Sequence, residues 1–219
     1  MSADLIATNL TDVLSRLIAA GLSVQQVFPS QRTLKDGVVS IGDLPLSSAA
    51  LKNTSYQTIY QEIEQNHAFH AKLIDGGLLI FQYKVTANGE ILQHRLAYFP
   101  APLLPTMEEA PALYENDELF ADIVLERLVR FPIRFDFAPA QFIELQHPKS
   151  HLTLGQFEGC RIPVTGPIGP HAFMLFLVRN FYSRAYFRRR NIFEKKFKAI
   201  NFPHSITDAE RKISHLVII

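Results

Sequence analysis

Apolar and polar positions follow two rhythms along this chain, one of about 3.6 residues and one of about 2. The first twenty residues keep the longer rhythm. Leu10, Val13, Leu14, Leu17 and Ile18 recur at helical spacing, which predicts an amphipathic helix over residues 3–20 with Gly21 as its stop. "SVQQVF" reads as a short strand closed by Pro29, and "VVSIG" as a weak one. Tyr56, Ile59, Tyr60 and Ile63 return to helical spacing and mark a second helix.

The shorter rhythm is clearest in "GLLIFQYKVTANGEILQHRLAYF", where Asn88-Gly89 separates two alternating runs. A two-residue hairpin turn is expected there, with Ala87 facing Glu90. That register puts Leu79, Phe81, Tyr83 and Val85 opposite Tyr98, Leu96, His94 and Leu92. The other face pairs Ile80, Gln82, Lys84 and Thr86 with Ala97, Arg95, Gln93 and Ile91. His94 then sits on the apolar face across from Tyr83. Its plainest reading is a core histidine bonded to Tyr83 or to backbone.

Residues 100–111, "PAPLLPTMEEAP", form an irregular Pro-rich loop long enough to act as a lid. Leu119, Phe120, Ile123, Val124 and Leu128 predict a helix with an acidic start. In "FPIRFDFAP", Phe131, Ile133, Phe135 and Phe137 point one way along a strand, Arg134 and Asp136 the other. "FIELQH", "HLTLG" and "CRIPV" read as three further strands. Pro170 opens a largely buried helix, "HAFMLFLVRNFY". Near the end, Thr207 with Glu210 three residues on signals a short capped helix. The expected fold is α+β: an antiparallel sheet, with helices at the N- and C-terminal ends packed against it. One domain, 1–219, is expected, with a basic C-terminal segment over 183–219.

Composition narrows the classes. A net charge of +1 rules out polyanion binding by the whole surface, so any such role needs local clustering. The single cysteine, Cys160, excludes an intramolecular disulfide and fits a reducing, cytoplasmic setting. A lone cysteine of this kind reads as a small buried apolar residue. The first residues lack the basic and apolar regions of a signal peptide, and no run nears the ~18 apolar residues of a membrane span. No membrane partner is expected.

Two clusters could carry chemistry. The first is Arg134, Asp136, His147, His151 and Arg161. On a phosphodiester, histidines move protons and arginines stabilise developing phosphate charge. The same His, His and Asp leave a divalent metal open, although no metal signature is present and Pro148 breaks the helical HxxxH pattern. The plainer reading pairs Arg134 and Asp136 on a solvated sheet face, with the histidines bonded to loop backbone. The second cluster is "RAYFRRRNIFEKKFK". Arg184, Arg188, Arg189, Arg190, Lys195 and Lys196 are its candidate nucleic-acid contacts, interleaved with aromatics that could stack on bases. The alternative is a helix burying Tyr186, Phe187, Ile192, Phe193 and Phe197 with its charges solvated. Residues 108–126 hold seven Asp or Glu and no Lys or Arg before residue 127, so this acidic stretch and the basic tail are set to pair within one chain or between two.

"YFPAP", "IRFDFAP", "HPKSHLTLG", "CRIPV" and "FMLFLVRNFY", in that order, resemble a bacterial family known as domain of unknown function 2290. The resemblance covers roughly residues 70–185 and the helix near 207–216, and carries no activity with it. The layout of hairpin, R-x-D strand and His-rich strand is also similar to small toxins of toxin–antitoxin modules. Pro148, Lys149 and Leu152 stand where those toxins are richer in histidine. Two functions follow as expectations. One is a ribonuclease-like toxin or phage-defence component acting on RNA or DNA without an organic cofactor. The other is a non-catalytic subunit that binds a protein partner.

Overall fold

A computed structural model describes residues 2–44, 54–126, 129–156 and 159–218. Helix α1 (Ala3–Ala19) matches the predicted span and is capped by the Ser2 hydroxyl, which accepts the Leu5 N–H. Gly21 ends it with φ +74°. There follow β1 (Ser23–Gln26), β2 (Gln31–Thr33), β3 (Val39–Ile41), α2 (Tyr56–Gln65), β4 (Ala71–Leu73), β5 (Leu78–Val85) and β6 (Ile91–Phe99). The second half holds α3 (Pro111–Glu115), α4 (Asp117–Leu119), β7 (Ile133–Phe137), β8 (Ser150–Leu154), β9 (Ile162–Pro163), α5 (Pro170–Phe181), α6 (Ser183–Arg188) and α7 (Arg190–Phe193). The chain is α+β: one antiparallel sheet with helices at both ends.

The sheet runs β1-β4-β5-β6-β7-β8-β9, with the β2–β3 hairpin attached to β5. One edge of β5 is shared. β4 pairs its start and β3 its end. In the gap between them the His70 ring takes the place of a strand, its Nδ1 accepting the Phe81 N–H at 3.1 Å. Gly42 lies so close that a Cβ there would stand 2.1 Å from the Phe81 carbonyl oxygen.

The β5–β6 register follows the alternation from Leu79↔Tyr98 to Lys84↔Gln93. It then slips by one residue, because the turn is not the two-residue form. Thr86 N–H donates to the Glu90 carbonyl and Gly89 takes φ +83°, giving a three-residue loop followed by a bulge. The bulge exchanges two predicted orientations. Ile91 packs against the core, whereas Leu92 is exposed.

Other expectations also change. "FIELQH" is not a strand but a tight reversal, bridged Ile143↔His147 with Leu145 at φ +64°. Phe131 lies before β7 and is exposed, since the chain straightens only at Ile133. The acidic helix continues from α4 as a π-helical stretch, Phe120–Leu125; Leu128 lies outside the described residues. The C-terminal capped helix shrinks to one 3-10 turn, Glu210–Lys212. Its capping box is intact, Thr207 N–H donating to Glu210 and Glu210 N–H to Thr207 Oγ1. Cys160 is a free, half-buried thiol rather than a core residue.

The two sheet faces have different fates. One is covered along its length by α1 and α5. Leu10, Leu14 and Leu17 join Phe173, Met174 and Leu177 over Phe81, Leu96 and Phe135, with edge-to-face rings at Phe81–Phe173 and Phe135–Phe173. His94 belongs to this face and is bonded to backbone through one ring nitrogen, its buried Nδ1 having no hydrogen-bond partner among the described residues. Its Nε2 accepts the Ile168 N–H at 3.0 Å, and Tyr83 Oη donates to the Ile168 carbonyl at 2.8 Å. On the opposite face, among the described residues, α2 covers one end, where Ile59, Tyr60 and Ile63 rest on Leu78, Ile80 and Ala97.

Candidate active site

Beyond α2, the second face turns polar because alternation within β6, β7 and β8 points charged residues that way. Pairing across the strands aligns Gln82, Arg95, Asp136 and His151 in one row, with Ala97, Arg134 and Thr153 in the next. Asp136 is the centre. Its carboxylate accepts from Arg134 Nε at 2.5 Å and from Arg95 Nε at 3.0 Å, one oxygen each. His151 Nε2 stands 3.8 Å from Asp136 Oδ2. Burial alone would raise the Asp136 pKa, but the Arg134 and Arg95 guanidiniums beside it hold it below the usual carboxylate value.

The segment from Ala138 to Lys149 folds back over this row. Ala138 N–H donates to the Lys149 carbonyl, and the 143–147 reversal sets His147 against His151, ring centroids 4.9 Å apart. His151 donates from Nδ1 to the Pro148 carbonyl at 2.9 Å, which leaves the Nε2 lone pair facing Asp136. The two histidines differ in access. His151 is 2 % exposed, whereas His147 is half-buried. Both have lowered pKa values. Burial is the first cause in each, joined by Arg161 and Arg134 at His147 and by His147 and Arg134 at His151. Both rings are therefore neutral at pH 7.

Arg134, Asp136, His147, His151 and Arg161 thus occupy one neighbourhood, and Arg95 joins them. Arg95 was visible on the polar side of the hairpin. Its place beside Asp136 depends on β6 pairing with β7, which no local pattern shows. The donors do not suit a divalent metal. Each Asp136 oxygen is engaged by a guanidinium, and among the described residues no group of three His, Cys, Asp or Glu gathers to hold one.

The six basic candidates of the tail lie elsewhere, on α6, α7 and the following coil, which pack with α1 and α5 on the other face. Three are tied to acids: Arg184 to Asp122 and Glu126, Arg188 to Glu118 and Arg190 to Glu194. Arg189, Lys195 and Lys196 are exposed. The Lys195 and Lys196 carbonyls accept from buried Arg16, which also grips the Phe193 carbonyl. The single burying helix is corrected too. The segment breaks into two short helices, with Tyr186 and Phe193 inside and Phe187 and Phe197 exposed.

Among the described residues, no helix is long and apolar enough to cross a membrane. In comparison with known proteins, the sequence model described as Uncharacterized conserved protein (DUF2290) matches residues 22–218, more of the chain than its motifs alone marked out. No curated protein and no solved structure matches.

Proposed function

The chain belongs to the DUF2290 family of uncharacterized conserved proteins, and from that premise we propose that it acts on RNA through the polar sheet face, as a ribonuclease-like component of a bacterial toxin or phage-defence system. The observation that carries this reading is the gathering of Arg95, Arg134 and His151 about the buried Asp136 carboxylate, with His147 against His151 and Arg161 beside His147. A phosphodiester lying there meets the part-exposed guanidiniums of Arg95 and Arg134, with Arg161 beside His147.

His147 is the proton acceptor in this scheme, because it is neutral and reaches solvent. It takes the proton of the 2′-hydroxyl as that oxygen attacks phosphorus. The 5′-oxygen departs with its electron pair and takes a proton from water. An internal nucleophile suits a site that relies on proton transfer and fixed positive charge, which selects RNA over DNA. His151 acts from behind as a positioning residue, its tautomer set by Pro148.

The test compares wild type with His147→Ala and Arg134→Ala. Growth and RNA integrity are followed on expression, and cleavage of a single-stranded RNA with the purified proteins. Wild type is expected to cleave and both variants to lose at least ~100-fold in rate. Intact RNA with purified wild type removes the proposal. A second reading, a protein-binding subunit, is favoured by a groove beside α5 whose rim exposes Phe187, Phe197 and Val217.

A further inference from the structure

That groove is the larger unexplained feature of the molecule. It encloses about 880 Å³ between α5, α6, the 197–204 segment and the last described residues. Leu175, Phe176 and Ile200 line it, with Phe187, Phe197 and Val217 exposed at 66 %, 40 % and 62 %. Among the described residues its charged or titratable lining groups are Arg179, His171 and His204, with no Asp or Glu in the lining, although Asp12 is bonded to His171 Nε2. Exposed Lys195, Lys196 and Lys198 lie on the same stretch of chain as Phe197. Among the described residues these lysines have no acidic partner.

An occupant with the opposite properties exists on the chain itself. In the 100–111 loop Leu103 is 76 % exposed and Met107 59 %. Glu108 and Glu109 follow directly and are also exposed. The internal pairing of acidic and basic segments uses Glu118, Asp122 and Glu126. It leaves Glu108, Glu115 and Asp117 without an ion-pair partner among the described residues. One molecule therefore carries an apolar knob flanked by acids and an apolar groove flanked by cations. Glu109 is held within its own loop by Thr106 and Phe197 stacks on His171, but Glu108 and the three lysines have no ion-pair partner among the described residues.

We propose that the groove is occupied by the Leu103–Glu109 loop of a second copy of this chain. Leu103 and Met107 enter against Phe187 and Phe197, while Glu108 and Glu109 meet Arg179 and the lysines. The proposed arrangement is a two-fold dimer, in which each copy gives its loop and receives its partner's, so that both contacts close and no open chain grows.

Sedimentation of the full chain over a concentration series reads the outcome. Wild type is expected as a dimer that weakens with salt, since its rim is electrostatic. Phe187→Glu in the groove and Leu103→Lys in the loop should each weaken association about tenfold or more, as loss of a buried anchor does. Mixing the two variants restores one intact groove and one intact loop. Association of the mixture beyond either variant alone shows that both are folded and that the contact is reciprocal. Oxidative cross-linking of Leu103→Cys with Val217→Cys, both in a Cys160→Ser background, adds a geometric check. A wild-type monomer throughout, a dimer indifferent to both variants, or a mixture no better than its parts overturns the proposal.

Discussion

Asp136 and His147 stand in one cluster but hold different positions in the energetics. Asp136 is nearly buried and takes two charge-assisted hydrogen bonds. Asp136→Asn is expected to destabilise the fold by about 1–2 kcal/mol, because the freed arginines are part-exposed and water recovers some of the loss. His147→Ala should leave stability within about 0.5 kcal/mol. Urea unfolding of the pair separates structure from chemistry: cleavage lost in His147→Ala without loss of stability marks a catalytic group. Buried histidines also set a pH response. Burial pulls His70 and His94 to about 4. The folded state favours their neutral rings, so their contribution is complete above the unfolded value of about 6.5 and is lost as pH falls toward about 4. Each is worth up to about 3 kcal/mol across that window. Asp75, raised by burial, works in the opposite sense, since acid relieves its buried charge. A falling urea midpoint from pH about 7.5 to about 5 is expected, with a shallower slope in His94→Gln.

Single side chains also join elements that are distant in sequence. Arg16 of α1 donates to carbonyls at Phe193, Lys195 and Lys196 and lies over the Phe197 ring. Phe197 in turn stacks on His171 of α5, centroids 3.7 Å apart. Arg16→Leu keeps the apolar stem but strands those carbonyls. A loss of about 3 kcal/mol is expected, and limited trypsin digestion should open at Lys195, Lys196 or Lys198 before any other site. Unchanged cleavage order would show that the segment is held by its apolar contacts instead. The shared edge of β5 makes a sharper demand. Gly42 has φ +76° and no space for a Cβ. Gly42→Ala should cost more than about 2 kcal/mol, by calorimetry, through strain and displacement of the Phe81 carbonyl.

At the scale of the whole molecule, what could be read early was what neighbours in sequence determine. α1, α5 and the β5–β6 register all follow from local periodicity, and a capping box marked the last turn. The bulge after Asn88-Gly89 escaped because both turn lengths fit the same dipeptide. "FIELQH" misled because alternation over six residues cannot show that Leu145 adopts a left-handed backbone. Arg95 was missed and the burial of His151 was not foreseen for a common reason, although the bond of His151 to loop backbone was expected. Strand order and the loop that closes over β8 arise from long-range packing. The same non-local character has a consequence during synthesis. Part of the apolar stripe of α1 rests on β1 and β3, and the rest is covered by α5, which begins after 150 intervening residues, from Ala20 to Gly169. At about 5–20 residues per second, the stripe emerges roughly 8–30 s before its cover exists. The nascent chain therefore carries the α5-facing part of a greasy helix uncovered for that interval, and a chaperone that binds exposed apolar segments at the ribosome is expected to meet it there.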